Sequence, residues 1–288
     1  MIGATWPALN VRKQNPPTAP TTIDGDEIVA RRNSPFNEIV VTDDGTGMRT
    51  LHFGDDHVLQ SMVKIGCPAH LELAYTRVIP SCLAYAGKIE RLLVIGLGGG
   101  TLPLFFYSQF SQLTIDVVEI DPVVVDVAKN YCGFHEDARM RVHVEDGRDF
   151  IERAAGDYDV IVLDSFSNES IPPHLLTCEF LEVVRSRLAM GGIVVANVWT
   201  RTRNALFDDM LRTYRHVFED LYILDVPDRN VKIFVALPQE RPMTREEVLA
   251  RTREIFKNHA LPQDPTGAIS GFERVASNAT LNGVILRD

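Results

Sequence analysis

Residues 94–105 read VIGLGGGTLPLF, an apolar strand pattern that meets four glycines within five positions and then resumes as a helical pattern. Glycine permits positive φ and has no side chain, so a ligand can approach the backbone closely at Gly96, Gly98, Gly99 and Gly100. The free N–H groups at the start of the following helix would add hydrogen-bond donors. A tight turn with nothing bound is the alternative, and it is less favoured because each glycine adds to the entropic cost of folding.

Strands and helices alternate on the carboxyl side of this loop. The pattern predicts strands at 92–96, 114–120, 140–146, 158–164 and 193–198, and helices at 102–110, 122–131, 148–155, 177–189, 204–218 and 244–258. Near-continuous apolar strands separated by helices indicate a parallel sheet covered on both faces. The last two strand patterns, LYILDV and KIFVAL, are separated by only five residues, too few for a crossover helix, so we expect them to be antiparallel.

A different pattern precedes the loop. Short β-rich runs between residues 27 and 64 are separated by turn signals such as DDGTG, which predicts a small antiparallel meander. The predicted fold is therefore α/β: a Rossmann-like, methyltransferase-type doubly wound sheet with antiparallel final strands, preceded by a small N-terminal antiparallel β-domain. We expect a flexible arm at 1–21, the meander at 22–68, the Rossmann-like domain at 69–260 and a tail at 261–288.

Composition narrows the classes of partner. The formal net charge of −10 and the lack of a basic stripe argue against nucleic acid. No apolar run is long enough to span a membrane, and the N-terminal residues lack the apolar core of a signal peptide. Four scattered cysteines without a CxxC pair predict neither disulfides nor a metal site. We expect a cytoplasmic protein.

Acidic residues follow the predicted strands one after another. Glu119 ends the second strand in VVEIDP, where a carboxylate can accept both hydroxyls of a ribose, and Asp121 is interpreted as the cap of the next helix. Asp146 and Gly147 end the third strand in VEDGRDF and can read an adenine edge. Asp164 ends the fourth strand. Strand ends of an open α/β sheet share one edge, so this series predicts an adenosyl pocket with space for a second substrate above Asp164.

The motifs IGLGGGTL, VEIDP, EDGRDF and YDVIVLDSF, in this order, resemble the spermidine synthase (polyamine aminopropyltransferase) superfamily over residues 34–237. The resemblance implies S-adenosylmethionine or its decarboxylated form as donor substrate, without a metal, and a homodimer or tetramer, of which we expect the homodimer. It also implies that Gln60, Glu119, Asp146 and Gly147 bind the adenosyl donor and that Asp164 lies beside a small acceptor amine.

The sequence departs from that family at the carboxylates. Family members have a loop similar to GGGDGG, whose Asp holds the amine of the donor, and an acceptor motif similar to DSSDP. In this sequence Gly99 stands where the family loop has its Asp. In DSFSN, Ser167 stands where the acceptor motif has its second Asp. Polyamine ammonium groups need charged partners when buried, so these changes disfavour a polyamine. Intact S-adenosylmethionine brings its own carboxylate, and we expect it to be the donor.

The predicted reaction is displacement at a carbon bound to the donor sulfonium. Asp164 is the candidate proton acceptor or amine anchor, although a helix cap is an equal alternative. Tyr75 can orient the acceptor, or it can be a core tyrosine. His174 lies on a loop that can close over the pocket, although a surface histidine is the simpler interpretation. Asp56 and His57, in a predicted hairpin turn, are less favoured.

Three activities remain compatible with this sequence. Aminopropyl-type transfer comes first because the resemblance covers the folded part of the chain, and methyl transfer is second. A non-catalytic nucleoside-binding protein is the third, because this sequence departs from the family motifs on the acceptor side. A nicotinamide dehydrogenase is disfavoured by the antiparallel final strands and by Thr101, which replaces the third glycine of GxGxxG.

Overall fold

The described part of the chain folds into two sheets, one of five strands and one of eight. The structure, a computed structural model, describes residues 21–54, 58–165, 171–227, 230–259, 261–269 and 271–288. Almost all of the predicted arm at 1–21 lies outside these ranges, as do Asp56, His57 and Ser167.

The small sheet is an antiparallel meander in chain order, as predicted. Its strands are β1 (Thr22–Ile23), β2 (Asp26–Asn33), β3 (Glu38–Asp43), β4 (Met48–Phe53) and β5 (Val58–Lys64). The turn between β3 and β4 is closed by Asp44, whose carboxylate accepts hydrogen bonds from the backbone N–H groups of Thr46 and Met48. A short polar side chain that holds its own turn in this way is typical of hairpin connections.

The large sheet has the order β13-β11-β12-β10-β9-β6-β7-β8. Its strands are β6 (Arg91–Ile95), β7 (Thr114–Glu119), β8 (Met140–Val144), β9 (Tyr158–Leu163), β10 (Leu188–Trp199), β11 (Asp220–Asp225), β12 (Val231–Leu237) and β13 (Gly271–Arg274). Strands β6 to β10 pair in parallel, and β12 pairs antiparallel with both β10 and β11. The predicted doubly wound sheet with antiparallel final strands is confirmed.

Seven α-helices connect or cover the strands in the described part of the chain. They are α1 (Ala74–Val78), α2 (Thr101–Gln109), α3 (Pro122–Tyr131), α4 (Gly147–Arg153), α5 (Cys178–Ser186), α6 (Phe207–Val217) and α7 (Arg245–Phe256). Short 3₁₀ helices lie at Ile79–Tyr85, Pro173–Leu175 and Pro265–Ala268. The α-helix that begins at Ala74 gives way to 3₁₀ geometry at Ile79, next to Pro80, whose ring cannot continue the α-helical hydrogen bonding.

Strand β6 lies at the centre of the large sheet and is buried on both faces. Leu92 and Val94 pack into one apolar cluster, and Leu93 and Ile95 pack into another on the opposite face. Successive side chains of a strand point to opposite faces, so a strand covered by helices on both sides must be apolar throughout. This explains why the run before the glycine loop carries no polar residue.

The small sheet packs on the large domain through α3. Val124 and Val127 of this helix share an apolar cluster with Ile39, Val41 and Leu51 of the meander. The contact holds β5 over the glycine loop, which brings residues of both sheets to one cavity.

One element at the carboxyl end differs from the expectation. Residues 271–274 lie in the predicted polar tail, but they form β13, which pairs antiparallel with β11 at the edge of the large sheet. Four residues are too few to show a two-residue alternation, so only the neighbouring strand reveals this element.

Candidate functional site

A cavity of about 480 Å³ lies at the carboxyl ends of the parallel strands. The chain order reverses between β6 and β9, because β7 follows β6 on one side whereas β9 lies on the other. Open α/β sheets bind ligands at such a reversal. The volume is within the usual range for small-molecule sites, and the wall includes residues of β5 as well as residues of the large sheet.

The glycine loop forms the floor of the cavity through Gly96, Leu97 and Gly98. Gly96 has φ of 103°, and a Cβ at this position would lie 2.2 Å from the carbonyl oxygen of Asp164. Gly96 therefore allows the ends of β6 and β9 to approach closely. Gly98 also has positive φ, and a Cβ at this position would lie 3.3 Å from Ser61 Cβ, so the loop packs closely against β5 here.

Gly99 and Gly100 are not among the residues that line this cavity. A Cβ at Gly99 would lie 2.8 Å from Val63 Cγ2, and one at Gly100 would lie 2.8 Å from Phe134. Both glycines are therefore explained by packing against β5 and against Phe134. A side chain at Gly99 would thus face the small sheet rather than the cavity, and the role of Gly99 in the choice of donor stays a prediction.

Thr101 and Ser61 join the loop to the small sheet. The Thr101 hydroxyl donates to the carbonyl oxygen of Met62 at 2.8 Å and lies 3.2 Å from the Ser61 hydroxyl. A third glycine at position 101 would lose these contacts. Gln60, on the same strand as Ser61, also lines the cavity. Its role in donor binding, which the family resemblance implies, stays a prediction.

Glu119 is held by backbone N–H groups at the tip of β7. Its Oε2 accepts from Leu97 N and its Oε1 from Asp121 N, both at 3.0 Å. Burial raises the pKa of the Glu119 carboxyl, and these hydrogen bonds lower it in part. The side chain is thus fixed in the cavity wall by the glycine loop itself. Asp121 caps α3 by accepting from Val123 N at 2.9 Å, as predicted.

Asp146 combines a cap with a side-chain contact. Its Oδ1 accepts from Arg148 N and Asp149 N at the start of α4, at 2.7 and 3.3 Å. Its Oδ2 lies 2.8 Å from His174 Nε2. Asp146, Gly147 and His174 all line the cavity. The loop that carries His174 therefore reaches the same carboxylate for which the sequence predicts an adenine contact.

Asp164 is the centre of a polar cluster at the tip of β9. Tyr75 Oη donates to its Oδ2 at 3.1 Å, and Asn197 Nδ2 donates to its Oδ1 at 2.9 Å. Burial raises the pKa of the Asp164 carboxyl, and the two hydrogen bonds lower it in part. Burial and the nearby Asp164 charge raise the pKa of Tyr75, so the tyrosine keeps its proton and remains the donor. The cluster therefore brings together two predicted residues, Asp164 and Tyr75.

Sequence reasoning missed Asn197. It is only 5 % exposed, and its Oδ1 is buried without a hydrogen-bond partner among the described residues. A buried amide oxygen without a partner is costly, which is a reason to expect a ligand donor there. The available signal was one polar residue inside the apolar strand IVVANVW. Trp199 and Val231, which also line the cavity, carry no such signal.

Two further properties concern the described residues only. They contain no helix long and apolar enough to cross a membrane. They also contain no group of three or more His, Cys, Asp or Glu residues placed to hold a metal ion.

The chain is similar to known proteins in sequence and in fold. The family model described as "Spermine/spermidine synthase domain" matches residues 72–237. The polyamine aminopropyltransferase of Vibrio vulnificus is 36% identical over 191 residues, which cover 63% of this chain and 63% of that protein. This chain thus spans less than two thirds of that relative's length.

Two solved structures are similar to large parts of this chain. A probable spermidine synthase from Corynebacterium glutamicum has a TM-score of 0.68 and 22% identity, covering 84% of this chain and 92% of the other. Human methyltransferase-like protein 13 in complex with SAH has a TM-score of 0.56 and 31% identity, covering 66% and 90%. The first similarity supports the fold alone. Since the family model matches more than half of the chain, the protein belongs to the spermine/spermidine synthase domain family.

Proposed function

We propose that the protein is a transferase that moves an alkyl group from an adenosyl sulfonium donor to the nitrogen of an amine. The observation that carries this proposal is the Asp164 carboxylate, held by Tyr75 and Asn197 in the same cavity as Glu119 and Asp146. One cavity thus offers carboxylates for a nucleoside and a separate, buried carboxylate for a second substrate.

The donor lies along the tips of β6, β7 and β8. Glu119 accepts the ribose hydroxyls, and Asp146 and the Gly147 N–H contact the adenine edge. Gln60 contacts the donor from the small sheet, and the backbone of Gly96 and Gly98 allows the donor to lie close to the loop. The two hydrogen bonds that already fix Glu119 support this role, because a carboxylate that does not have to reorganise binds its ligand at a lower entropic cost.

Asp164 acts on the acceptor. The bound ammonium first gives one proton to Asp164, which leaves a neutral amine with a free electron pair. The amine nitrogen then attacks the carbon bound to sulfur, and the C–S electron pair passes to sulfur to give a thioether. A carboxylate with a raised pKa is a better proton acceptor than an exposed one. Tyr75 and Asn197 hold both carboxylate oxygens, which orients the base. Alignment of nitrogen, carbon and sulfur supplies the remaining rate enhancement.

Intact S-adenosylmethionine is the donor we favour over its decarboxylated form. The loop surface that faces the cavity consists of Gly96, Leu97, Gly98 and Thr101, and none of these carries a charge. A decarboxylated donor would present an ammonium group to this neutral loop. The intact donor brings its own carboxylate beside that ammonium group.

Methyl transfer is the second candidate reaction. The neutral loop also supports it, because attack on the methyl carbon leaves the amino acid chain of the donor in place. The similarity to a methyltransferase solved with SAH favours the same donor. Aminopropyl-type transfer, which includes transfer of the aminocarboxypropyl group, is supported by the family and by the Vibrio relative.

One experiment tests these assignments together. Purified protein is titrated by calorimetry with S-adenosylmethionine and with its decarboxylated form, and each donor is then incubated with a panel of amines. The mass of the product identifies the transferred group. We expect tighter binding of the intact donor and an alkylated amine. Tighter binding of the decarboxylated donor would contradict our donor assignment. Binding without turnover on any amine would favour a non-catalytic nucleoside-binding protein.

A further inference from the structure

The part of the cavity around Asp164 has a wall of its own. This acceptor wall consists of Leu73, Tyr75, Asp164, Asn197, Trp199 and Val231, all of which line the cavity. Asn197 and Trp199 are two positions apart on β10 and so lie on the same face of the sheet. Trp199 is directly paired with Val231 on the neighbouring strand β12. An aromatic and an aliphatic side chain therefore continue the wall beyond the polar cluster.

Charge is distributed unevenly over the cavity. Among the described residues, Asp164 is the only carboxylate of the acceptor wall, whereas Glu119, Asp121 and Asp146 line the cavity near β7 and β8. Glu119 and Asp146 are assigned to the donor, and Asp121 caps α3. The wall thus offers one site for a cation and an apolar surface beside it.

The hydrogen-bonding capacity of the polar cluster also suits one nitrogen. Asp164 accepts from Tyr75 and Asn197, which leaves further lone pairs on its oxygens for a ligand. Asn197 Oδ1 is a second, buried acceptor without a partner among the described residues. A single ammonium or amine nitrogen can donate one N–H to each residue.

A second ammonium group would meet Trp199, Val231 and Leu73. A buried cation without a carboxylate partner loses its hydration and gains no compensating attraction. An apolar chain or ring at the same place gains free energy by leaving water. The wall therefore discriminates against diamines and favours monoamines.

We propose that the acceptor carries one cationic nitrogen on an apolar body and is neither a diamine nor a polyamine. This proposal rests on the proposed transferase function, of which it defines the acceptor class.

The test compares two amines that differ in one group. Hexylamine and hexamethylenediamine have the same carbon chain, and only the second has a distal ammonium. With S-adenosylmethionine as donor, we expect kcat/KM for hexylamine to exceed that for hexamethylenediamine by at least about tenfold, which corresponds to ~1.4 kcal/mol. An equal or higher value for the diamine would overturn the proposal.

A matched pair of variants tests the wall itself. Trp199→Glu adds a carboxylate. Trp199→Gln is its control, because glutamine has nearly the same shape as glutamate but carries no charge. We expect the preference for the monoamine to fall at least about tenfold in Trp199→Glu relative to Trp199→Gln, because the distal ammonium gains a partner. The pair Val231→Glu and Val231→Gln repeats the comparison if the first pair does not fold. An unchanged preference in the pair that folds would contradict the proposal.

Failure of the transferase function can be recognised separately. If no amine is alkylated, both amines are titrated by calorimetry into the protein saturated with S-adenosylhomocysteine. Tighter binding of hexylamine would support the acceptor class although transfer had failed. Tighter binding of the diamine, or binding of neither amine, would overturn the acceptor class as well.

Discussion

The two halves of the cavity hold their carboxylates in different ways. On the side proposed for the donor, Glu119 and Asp146 are fixed by backbone N–H groups of the glycine loop and of the first turn of α4. On the side proposed for the acceptor, Asp164 is fixed by the side chains of Tyr75 and Asn197, which come from α1 and β10. The donor side is therefore part of the backbone architecture, whereas the acceptor side can change its chemistry by substitution of side chains.

This contrast explains where the family motifs persist. A substitution at Glu119 leaves backbone donors of the glycine loop without their acceptor, so it affects binding and folding together. A substitution on the acceptor wall alters side-chain contacts and leaves these backbone donors with their acceptor. If the two halves respond separately, a substitution in one half should leave the function of the other unchanged.

The largest effect is expected for Asp164→Asn. The amide cannot take the proton of the acceptor, and we expect kcat to fall by about 10²–10⁴-fold, the usual contribution of a general base. Donor affinity should change by less than about threefold, because Asp164 belongs to the acceptor side. Steady-state kinetics and calorimetry measure the two effects. Asp126→Asn, the same substitution at an exposed position of α3, is the control and should retain full activity. A comparable loss of donor affinity in Asp164→Asn would show that the halves are not separate.

Glu119→Gln should have the opposite profile. The neutral amide loses charge-assisted hydrogen bonds, each of which contributes roughly 1.5–3 kcal/mol. We therefore expect the Kd of the donor to rise by about 10- to 100-fold, with KM for the amine little changed at saturating donor. Calorimetry with S-adenosylhomocysteine checks the affinity without turnover. A fall in kcat at saturating donor, with unchanged affinity, would place Glu119 on the acceptor side instead.

Gly96→Ala tests the contact that joins the halves. A Cβ at Gly96 would lie 2.2 Å from the Asp164 carbonyl oxygen, at a φ of 103° that is unfavourable for alanine. We expect a loss of at least about 2 kcal/mol in the free energy of unfolding, measured by urea titration. Gly133→Ala is the control, because Gly133 also has positive φ but no atom within 4 Å of the added carbon. That variant should lose only about 1 kcal/mol. Equal losses would mean that the close approach of β6 and β9 contributes nothing.

The smallest effect is a shift of a pH profile. Burial raises the pKa of the Asp164 carboxyl above its ordinary value of 3.8. Asp164 is therefore protonated, and stops acting as a base, at a higher pH than an exposed Asp would be. Turnover therefore falls as the pH is lowered through this raised pKa. The hydrogen bond from Tyr75 lowers the pKa, and Tyr75→Phe should raise it further and move the acidic limb of the kcat profile upward by up to about one pH unit. An acidic limb that does not move, or that moves to lower pH, would show that the Tyr75 hydrogen bond does not lower the pKa of Asp164.

Protonation of Asp164 also changes the free energy of unfolding. Because the folded-state pKa is raised, the folded protein binds this proton more tightly than the unfolded chain does. The stabilisation is complete at low pH and is lost as the pH rises through the raised pKa. Ionised Asp164 therefore costs stability at neutral pH, a cost that is compatible with a functional rather than a structural role.

Most of the fold could be predicted from local patterns. The alternation of apolar strands with helices and the short connection before KIFVAL predicted the parallel sheet and its antiparallel end, both of which are confirmed. Strand β13 could not be predicted in this way, because its pairing with β11 depends on residues far away in the chain. The same is true of the contact of Gly99 with Val63, which needs the small sheet to be in place.

The proposed donor side can be located from the sequence alone. The glycines, Glu119 and Asp146 lie at strand ends, and the order of strands follows from the chain, so their meeting at one edge needs no knowledge of packing. Only the tertiary structure decided the acceptor side. Tyr75 and Asp164, 89 positions apart, meet because α1 packs near the tip of β9, and Asn197 and Trp199 become a wall because β10 lies next to it. Contacts between side chains of distant elements depend on how the elements pack, which leaves no periodic signal in the chain.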